Sequence, residues 1–227
     1  MARTLDPAAH AVRRDVFIDA AQALIQTRGY EQFTIQDILD ATGTSKGAFY
    51  HYFDSKDALV DAVVDRMADQ ATDRVGGVLS DPALSSTDKL ERLFQGMAEF
   101  KAERKDLVLG ILRIWMSDDN AVVRERLRRQ VRTRLVPWLE QIVGQGFAEG
   151  TFTSRYPDHM ARVLATLVQG MSELASELWV DRQLGTVTLE EVNETFGAYQ
   201  EAFERIVGVP RGTLRFLDES TIEFWFG

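Results

Sequence analysis

Apolar side chains return at intervals of three and four residues along most of this chain, and that rhythm constrains its fold more than any other feature. In the first stretch it runs through Val12, Val16, Phe17, Ala20, Ala21, Leu24 and Ile25, which sets up one helical face for burial, and Gly29 stops the helix. The same spacing predicts helices over about 90–103, 107–116, 122–143, 158–184 and 189–207. Only the runs TLRFL and TIEFWF near the end admit a strand reading. An all-α fold is expected, without internal repeats or low-complexity tracts.

Between the first helix and a long later one, the segment TIQDILDATGTSKGAFYHYF holds two short helices. Thr34 can cap the first, with Asp37 answering the exposed backbone donors. Gly43 suits a left-handed helix end, and Thr44 or Ser45 can start the next helix at once. Ser55 is a cap for the long helix from about Lys56, whose apolar side is Leu59, Val60, Val63, Val64, Met67 and Ala71. Gly76, Gly77 and the run SDPALSSTD are expected to end it. The chain therefore divides into a three-helix domain over 1–55 and a helical bundle over 56–227.

A pair of short helices around a glycine turn lets one helix enter a DNA major groove while its neighbour braces the backbone. Phe49 and Phe53, four residues apart, share the buried side of the second helix. Lys46, Tyr50, His51, Tyr52 and Lys56 supply donors around it, and helix starts at Thr34 and Ser45 attract phosphate. Tyrosine and lysine contacts to phosphate fix register, so base discrimination falls to Thr44, Ser45, Lys46 and Ala48. Gly47 permits close approach to a sugar-phosphate backbone.

The composition restricts alternatives. With no cysteine and three histidines among 227 residues, thiolate chemistry and disulfides are excluded, and little remains for a histidine-based metal site. No phosphate-binding glycine loop, HExxH motif or nucleophile beside a base is present, which argues against an enzyme, and no cofactor is implied. MARTLDPAAHAVRRD lacks the apolar core of a leader, and no run is long enough to span a membrane, so a cytoplasmic protein is expected. The net charge of -9 opposes general affinity for nucleic acid. Even the first 60 residues carry six basic against eight acidic side chains, so oriented contacts rather than bulk charge must hold DNA.

Together, Thr34, Gly43-Thr44-Ser45-Lys46-Gly47, Tyr50-His51-Tyr52-Phe53 and Ser55-Lys56 resemble the helix-turn-helix of the TetR family of transcriptional regulators, over about residues 12–60. The resemblance implies a recognition helix near the bases from Thr44 to His51, phosphate contacts from Tyr50, Tyr52 and Lys56, and a homodimer on a palindromic double-stranded operator. It also implies a ligand-responsive regulator, most often a repressor, with an activator as the alternative. Leu39 and Thr42 stand where alanines are usual, and Thr44 where valine is frequent.

In the second domain, Phe94, Met97, Phe100, Trp115, Met116, Trp138 and Phe147 are candidates for an effector pocket, although such residues also build ordinary core. The family resemblance makes the effector a small molecule, and the lining makes it largely apolar. Leu167, Met171, Leu174 and Leu178 on one helix, with Phe196, Tyr199 and Phe203 on the next, are candidates for a two-fold interface. Asp57, Asp61, Asp65, Asp69 and Asp73 form a stripe expected to be solvated, opposite in sign to Arg124, Arg128 and Arg132. Phe224, Trp225 and Phe226 must pack within the chain, across a dimer, or on a partner of a helical adaptor.

Overall fold

The computed structural model defines the backbone of residues 7–30, 32–116, 121–216 and 218–227, and their side chains except at 7, 113–116, 121–124, 126–127 and 130. Among the described residues the secondary structure is helical, without strands. The helices are α1 (Pro7–Arg28), α2 (Ile35–Thr42), α3 (Lys46–Tyr52), α4 (Lys56–Ser80), α5 (Ser86–Ala102), α6 (Lys105–Met116), α7 (Ala121–Ala148), α8 (Pro157–Leu184), α9 (Leu189–Val207) and α10 (Glu219–Phe226). They form two compact units, 1–70 with 104–127, and 71–103 with 128–227.

The first unit is built on an aromatic and aliphatic core. Phe17, Ile18, Ala21 and Ile25 of α1 meet Ile38 and Leu39 of α2, Phe49 of α3, Leu59, Val60 and Val63 of α4, and Leu107 of α6. The buried stripe of α1 therefore begins at Phe17 and includes Ile18. Val12 and Val16, expected on that face, are 65% and 44% exposed. The apolar spacing continues past the point where anything packs on it. Residue Gly110 sets the approach of α6, because a Cβ there would lie 2.8 Å from Ile25 Cγ2 and 3.0 Å from Ile25 O.

Polar contacts fasten the ends of these helices. Thr34 and Asp37 form the expected reciprocal cap of α2, and Arg28 Nη1 reaches Asp37 Oδ1 at 2.8 Å, joining the end of α1 to the start of α2. Arg66 of α4 reaches back to α1, with Nη1 2.5 Å from Asp19 Oδ1 and Nη2 2.6 Å from Gln22 Oε1. Asp61 is buried, so the aspartate stripe of α4 is not uniformly solvated.

In the second unit, Val75 and Leu79 of α4, Leu90 and Leu93 of α5, Leu139, Ile142 and Val143 of α7, Met160 and Leu164 of α8, and Phe203 and Val207 of α9 share one core. Helix α4 runs through Gly76 and Gly77 to Ser80 rather than ending at them. Neither glycine has a left-handed backbone, and the flanking Val75 and Leu79 are anchored in the core. Side chains hold the end of α4 and the loop that follows: Lys89 Nζ and Gln141 Nε2 donate to Leu79 O at 2.8 and 3.0 Å, and Gln145 Nε2 donates to Leu84 O of the loop at 2.8 Å.

The TIEFWF run is helical, not a strand: Asp218 caps α10 by accepting from Thr221 N. Ile222 and Phe226 bury against Leu178, Val192 and Phe196 of α8 and α9. Arg182 Nε donates to Phe226 O at 3.0 Å and closes the segment onto α8. The aromatic ending thus packs within the chain, with Phe224 left exposed.

Candidate nucleic-acid interface

Gly43 takes φ 61° and ψ 30° at the end of α2, a left-handed geometry that glycine adopts without the Cβ penalty. Its successor Thr44 donates its backbone N–H to Leu39 O at 3.1 Å, and Ser45 Oγ then accepts from Ala48 N at 3.2 Å to begin α3. Three residues therefore separate one helix from the next. The orientation of α3 is fixed from beneath: Phe49 is buried against Phe17, its ring centroid 5.7 Å away, and Phe53 lies 6.1 Å from the same ring.

This packing leaves Ser45, Lys46, Gly47 and Tyr50 exposed on one element. Tyr50 is 45% exposed, with its ring 5.3 Å from that of Phe49 and Lys46 Nζ 6.0 Å from its own centroid. Nothing inside the chain demands glycine at 47, since an added Cβ would meet only Ser45 Oγ, at 4.0 Å.

The remaining candidates are engaged within the unit to different degrees. His51 is exposed, its ring 5.7 Å from His10 of α1 and 5.0 Å from Tyr52. Tyr52 is half-buried, its ring tilted against those of His10 and Phe17 at 4.6 and 5.6 Å. Lys56 Nζ donates to Tyr30 O at 2.6 Å and Phe33 O at 2.8 Å and lies over both rings, so this ammonium ties the α1–α2 loop to the start of α4. Thr34 directs its N–H and its hydroxyl to Asp37 Oδ2, each at 2.7 Å. Those bonds hold the Asp37 carboxyl below its ordinary range, the hydroxyl contributing most and Arg28 adding to them.

Sequence patterning overlooked several residues that shape this face. His10 supports Tyr52 and His51, Arg14 lies 5.2 Å over Phe53, the Tyr30 hydroxyl donates to Asp57, and Thr42 bonds Thr44. The four-residue step from His10 to Arg14 was the available signal for a second functional stripe on α1, although it names no partner.

Of the pocket candidates, Phe94, Met97, Trp138 and Phe147 are half-buried against the core of the second unit, and Phe100 is buried. The Phe94 ring lies tilted 4.2 Å from that of Phe216 and edge-on 5.3 Å from that of Phe203. The side chains of Trp115 and Met116 lie outside the described residues. A half-open cavity of about 540 Å³ elsewhere in this unit is lined by Met171, Leu189, Phe196, Phe216 and Ile222, with Glu190, Glu194 and Glu219 among its polar residues. None of the pocket candidates lines it.

Among the interface candidates, Leu178, Phe196 and Phe203 are buried within one chain, whereas Leu167, Met171, Leu174 and Tyr199 are half-buried. Arg128 lies 2.8 Å from Glu173 Oε1, and Gln169 Nε2 donates to Arg128 O at 2.9 Å, so the arginine stripe of α7 is used at this position to join α8. Among the described residues, no cluster of three or more histidines and carboxylates is placed to hold a metal, and no helix is long and apolar enough to cross a membrane.

Residues 17–63 match the sequence profile of bacterial regulatory proteins of the tetR family. Over 96 residues the chain is 36% identical to the HTH-type transcriptional repressor KstR2 of Mycolicibacterium smegmatis, covering 42% of this chain and 45% of that protein. The match thus spans under half the length of that relative. In three dimensions the chain is similar to a TetR transcription regulator from Haloarcula marismortui, with a TM-score of 0.62 at 22% identity over 87% of this chain and 97% of the other. It is also similar to the TetR-family repressor FadR of Thermus thermophilus in complex with lauroyl-CoA, with a TM-score of 0.58 at 22% identity over 82% and 92%. The two short capped helices, the left-handed glycine between them and the matching profile lead to one assignment: residues 17–63 carry the helix-turn-helix of the tetR family of bacterial regulatory proteins.

Proposed function

We propose that this protein is a ligand-responsive transcriptional regulator of the cytoplasm, binding a palindromic operator as a homodimer and acting as a repressor. The observation that carries the reading is the division of α3 and its cap into a buried side, Phe49, and an exposed side, the cap Ser45 with Lys46, Gly47 and Tyr50, directly after a capped α2. Such an arrangement offers donors and a Cβ-free backbone position to a groove while the aromatic core holds the helix rigid. Lys56 and Thr34 serve here chiefly by fixing the ends of α4 and α2, since two ammonium hydrogens of Lys56 and both the N–H and hydroxyl of Thr34 already serve partners in the chain. His51 and Tyr52 carry flanking contacts.

The functional division follows the chain: residues 1–55 read DNA, and residues 56–227 sense the effector and dimerise. A small, largely apolar effector suits the half-buried aromatic and methionine side chains Phe94, Met97, Trp138 and Phe147, and the apolar lauroyl chain of the acyl-CoA held by the Thermus FadR supports an apolar ligand group. Self-association through α8 and α9 uses their outward sides, where Val163 of α8 and Gly197 and Ala198 of α9 are exposed. The ligand regulates by favouring one of two arrangements of the paired reading heads.

Genomic DNA recovered on the purified protein tests the reading. A two-fold site is expected, with occupancy lost for Tyr50→Ala and Lys46→Ala and reduced by acyl-CoA thioesters. Recovery of no preferred sequence, or binding indifferent to both substitutions, would overturn it.

A further inference from the structure

The two threonines that flank the turn glycine form one hydrogen-bonded unit. Thr42 Oγ1 lies 2.8 Å from Ile38 O and 3.4 Å from Leu39 O, and 2.7 Å from Thr44 Oγ1. A carbonyl oxygen only accepts, and a threonine hydroxyl has a single hydrogen. At 2.8 Å the Thr42 hydrogen must therefore lie toward Ile38 O, because two bare lone-pair oxygens at that distance repel. The 2.7 Å contact between the hydroxyls then requires the hydrogen of Thr44, donated to Thr42 Oγ1. What remains on the Thr44 oxygen is acceptor capacity alone.

That polarity matters because of where Thr44 stands, between the left-handed Gly43 and the exposed run Ser45, Lys46 and Gly47. A hydroxyl whose hydrogen is committed inside the protein has nothing to donate to a phosphate oxygen, which is itself an acceptor. In the major groove the complementary donors are the exocyclic amines of adenine and cytosine. We propose that Thr44 is a specificity-determining acceptor for such an amine at one position of each operator half-site, and that Thr42 is the positioning residue that sets its polarity. Neither role is available to an alanine at 42 or a valine at 44. The proposal rests on the reading of α3 as the helix that enters the groove.

The test is enrichment of a randomised DNA duplex pool by the full-length protein, followed by affinity measurement on single-base variants of the enriched site. Wild-type protein should favour adenine or cytosine at one position per half-site by about fivefold or more over the other bases, and comparison of the two amine-bearing bases there distinguishes which is read. Thr42→Val, which keeps the side-chain shape, should reduce that preference to below about twofold while leaving the other positions and the thermal midpoint close to wild type. Thr44→Val should erase the same position, and Thr42→Ser should restore it. An unchanged base profile for Thr42→Val and Thr44→Val, with Lys46→Ala still weakening binding, would overturn the proposal and leave the reading of α3 intact. A uniform loss across all positions that Thr42→Ser does not rescue would equally overturn it, as a structural effect. If Lys46→Ala and Tyr50→Ala also leave binding unchanged, α3 is not the reading helix and both fall.

Discussion

Two glycines of the first unit serve opposite purposes, and substitution separates them. At Gly110 a Cβ would collide with the Ile25 backbone oxygen at 3.0 Å, and helix atoms cannot move aside as a flexible side chain can. Gly110→Ala should destabilise the unit by about 1–3 kcal/mol, as overpacking typically does, read as a lowered denaturation midpoint. Gly47 has open space around it, so Gly47→Ala should leave the midpoint unchanged or slightly raised. Under the proposed function its DNA affinity should nevertheless fall. Gly47 was legible in the sequence as a candidate contact because it sits inside a dense motif. Gly110 was not, because a close approach depends on which residue of another helix lies opposite, and Ile25 is 85 positions away in the chain.

At the scale of elements, caps and core anchors decide where helices begin and end. The α2, α5 and α9 starts all carry reciprocal caps, Thr34 with Asp37, Ser85 with Asp88 and Thr188 with Glu191. Removing the first with Thr34→Ala should cost about 1 kcal/mol, measured by chemical denaturation. Asp37 and Glu191 are both held below their ordinary carboxyl range by bonds from the capping threonine. A carboxyl whose pKa is lower in the folded than in the unfolded state stabilises the fold above its unfolded value, and that contribution is lost as pH falls through the folded value. The thermal midpoint should therefore drop on acidification below about pH 4, and Asp37→Asn should flatten that dependence. If the two acid profiles coincide, the cap is not the sensitive group. Local capping chemistry made the α2 start readable from sequence alone. The end of α4 was not readable, because Val75 and Leu79 outweigh two glycines only once α5, α7 and α8 supply a core for them. Gly76→Ala and Gly77→Ala, with no atoms within 4 Å of either new Cβ, should each stabilise the protein by roughly 0.5–1 kcal/mol.

For the molecule as a whole, the proposed function makes the sparse positive charge of the first unit measurable through salt. Neutralising a phosphate with one cation contributes close to one unit to the slope of log affinity against log salt. In a homodimer Lys46 occurs once in each protomer, so Lys46→Ala should flatten that slope by about two units, against about one for a monomer on DNA. Binding data from 50 to 200 mM salt, together with mass in solution, decide between them. Few cations on the reading face make the expected wild-type slope shallow, and under the proposed function the acidic total of -9 limits attachment to arbitrary DNA.

The sequence by itself determined the helical class, the capped start of α2, the left-handed Gly43 and the burial of Phe49 and Phe53, because each depends on spacing or on bonds within a few residues. Tertiary structure decided what depends on distant chain. It left Val12 and Val16 exposed, drew Asp61 inside, consumed Phe203 in the core of one chain and folded the aromatic ending into a helix against α8 and α9. It also joined Thr42 to Thr44 across the turn glycine. Periodicity says which side of a helix can be buried, whereas burial itself requires a neighbour, and hydroxyl polarity requires knowing which acceptor lies within reach.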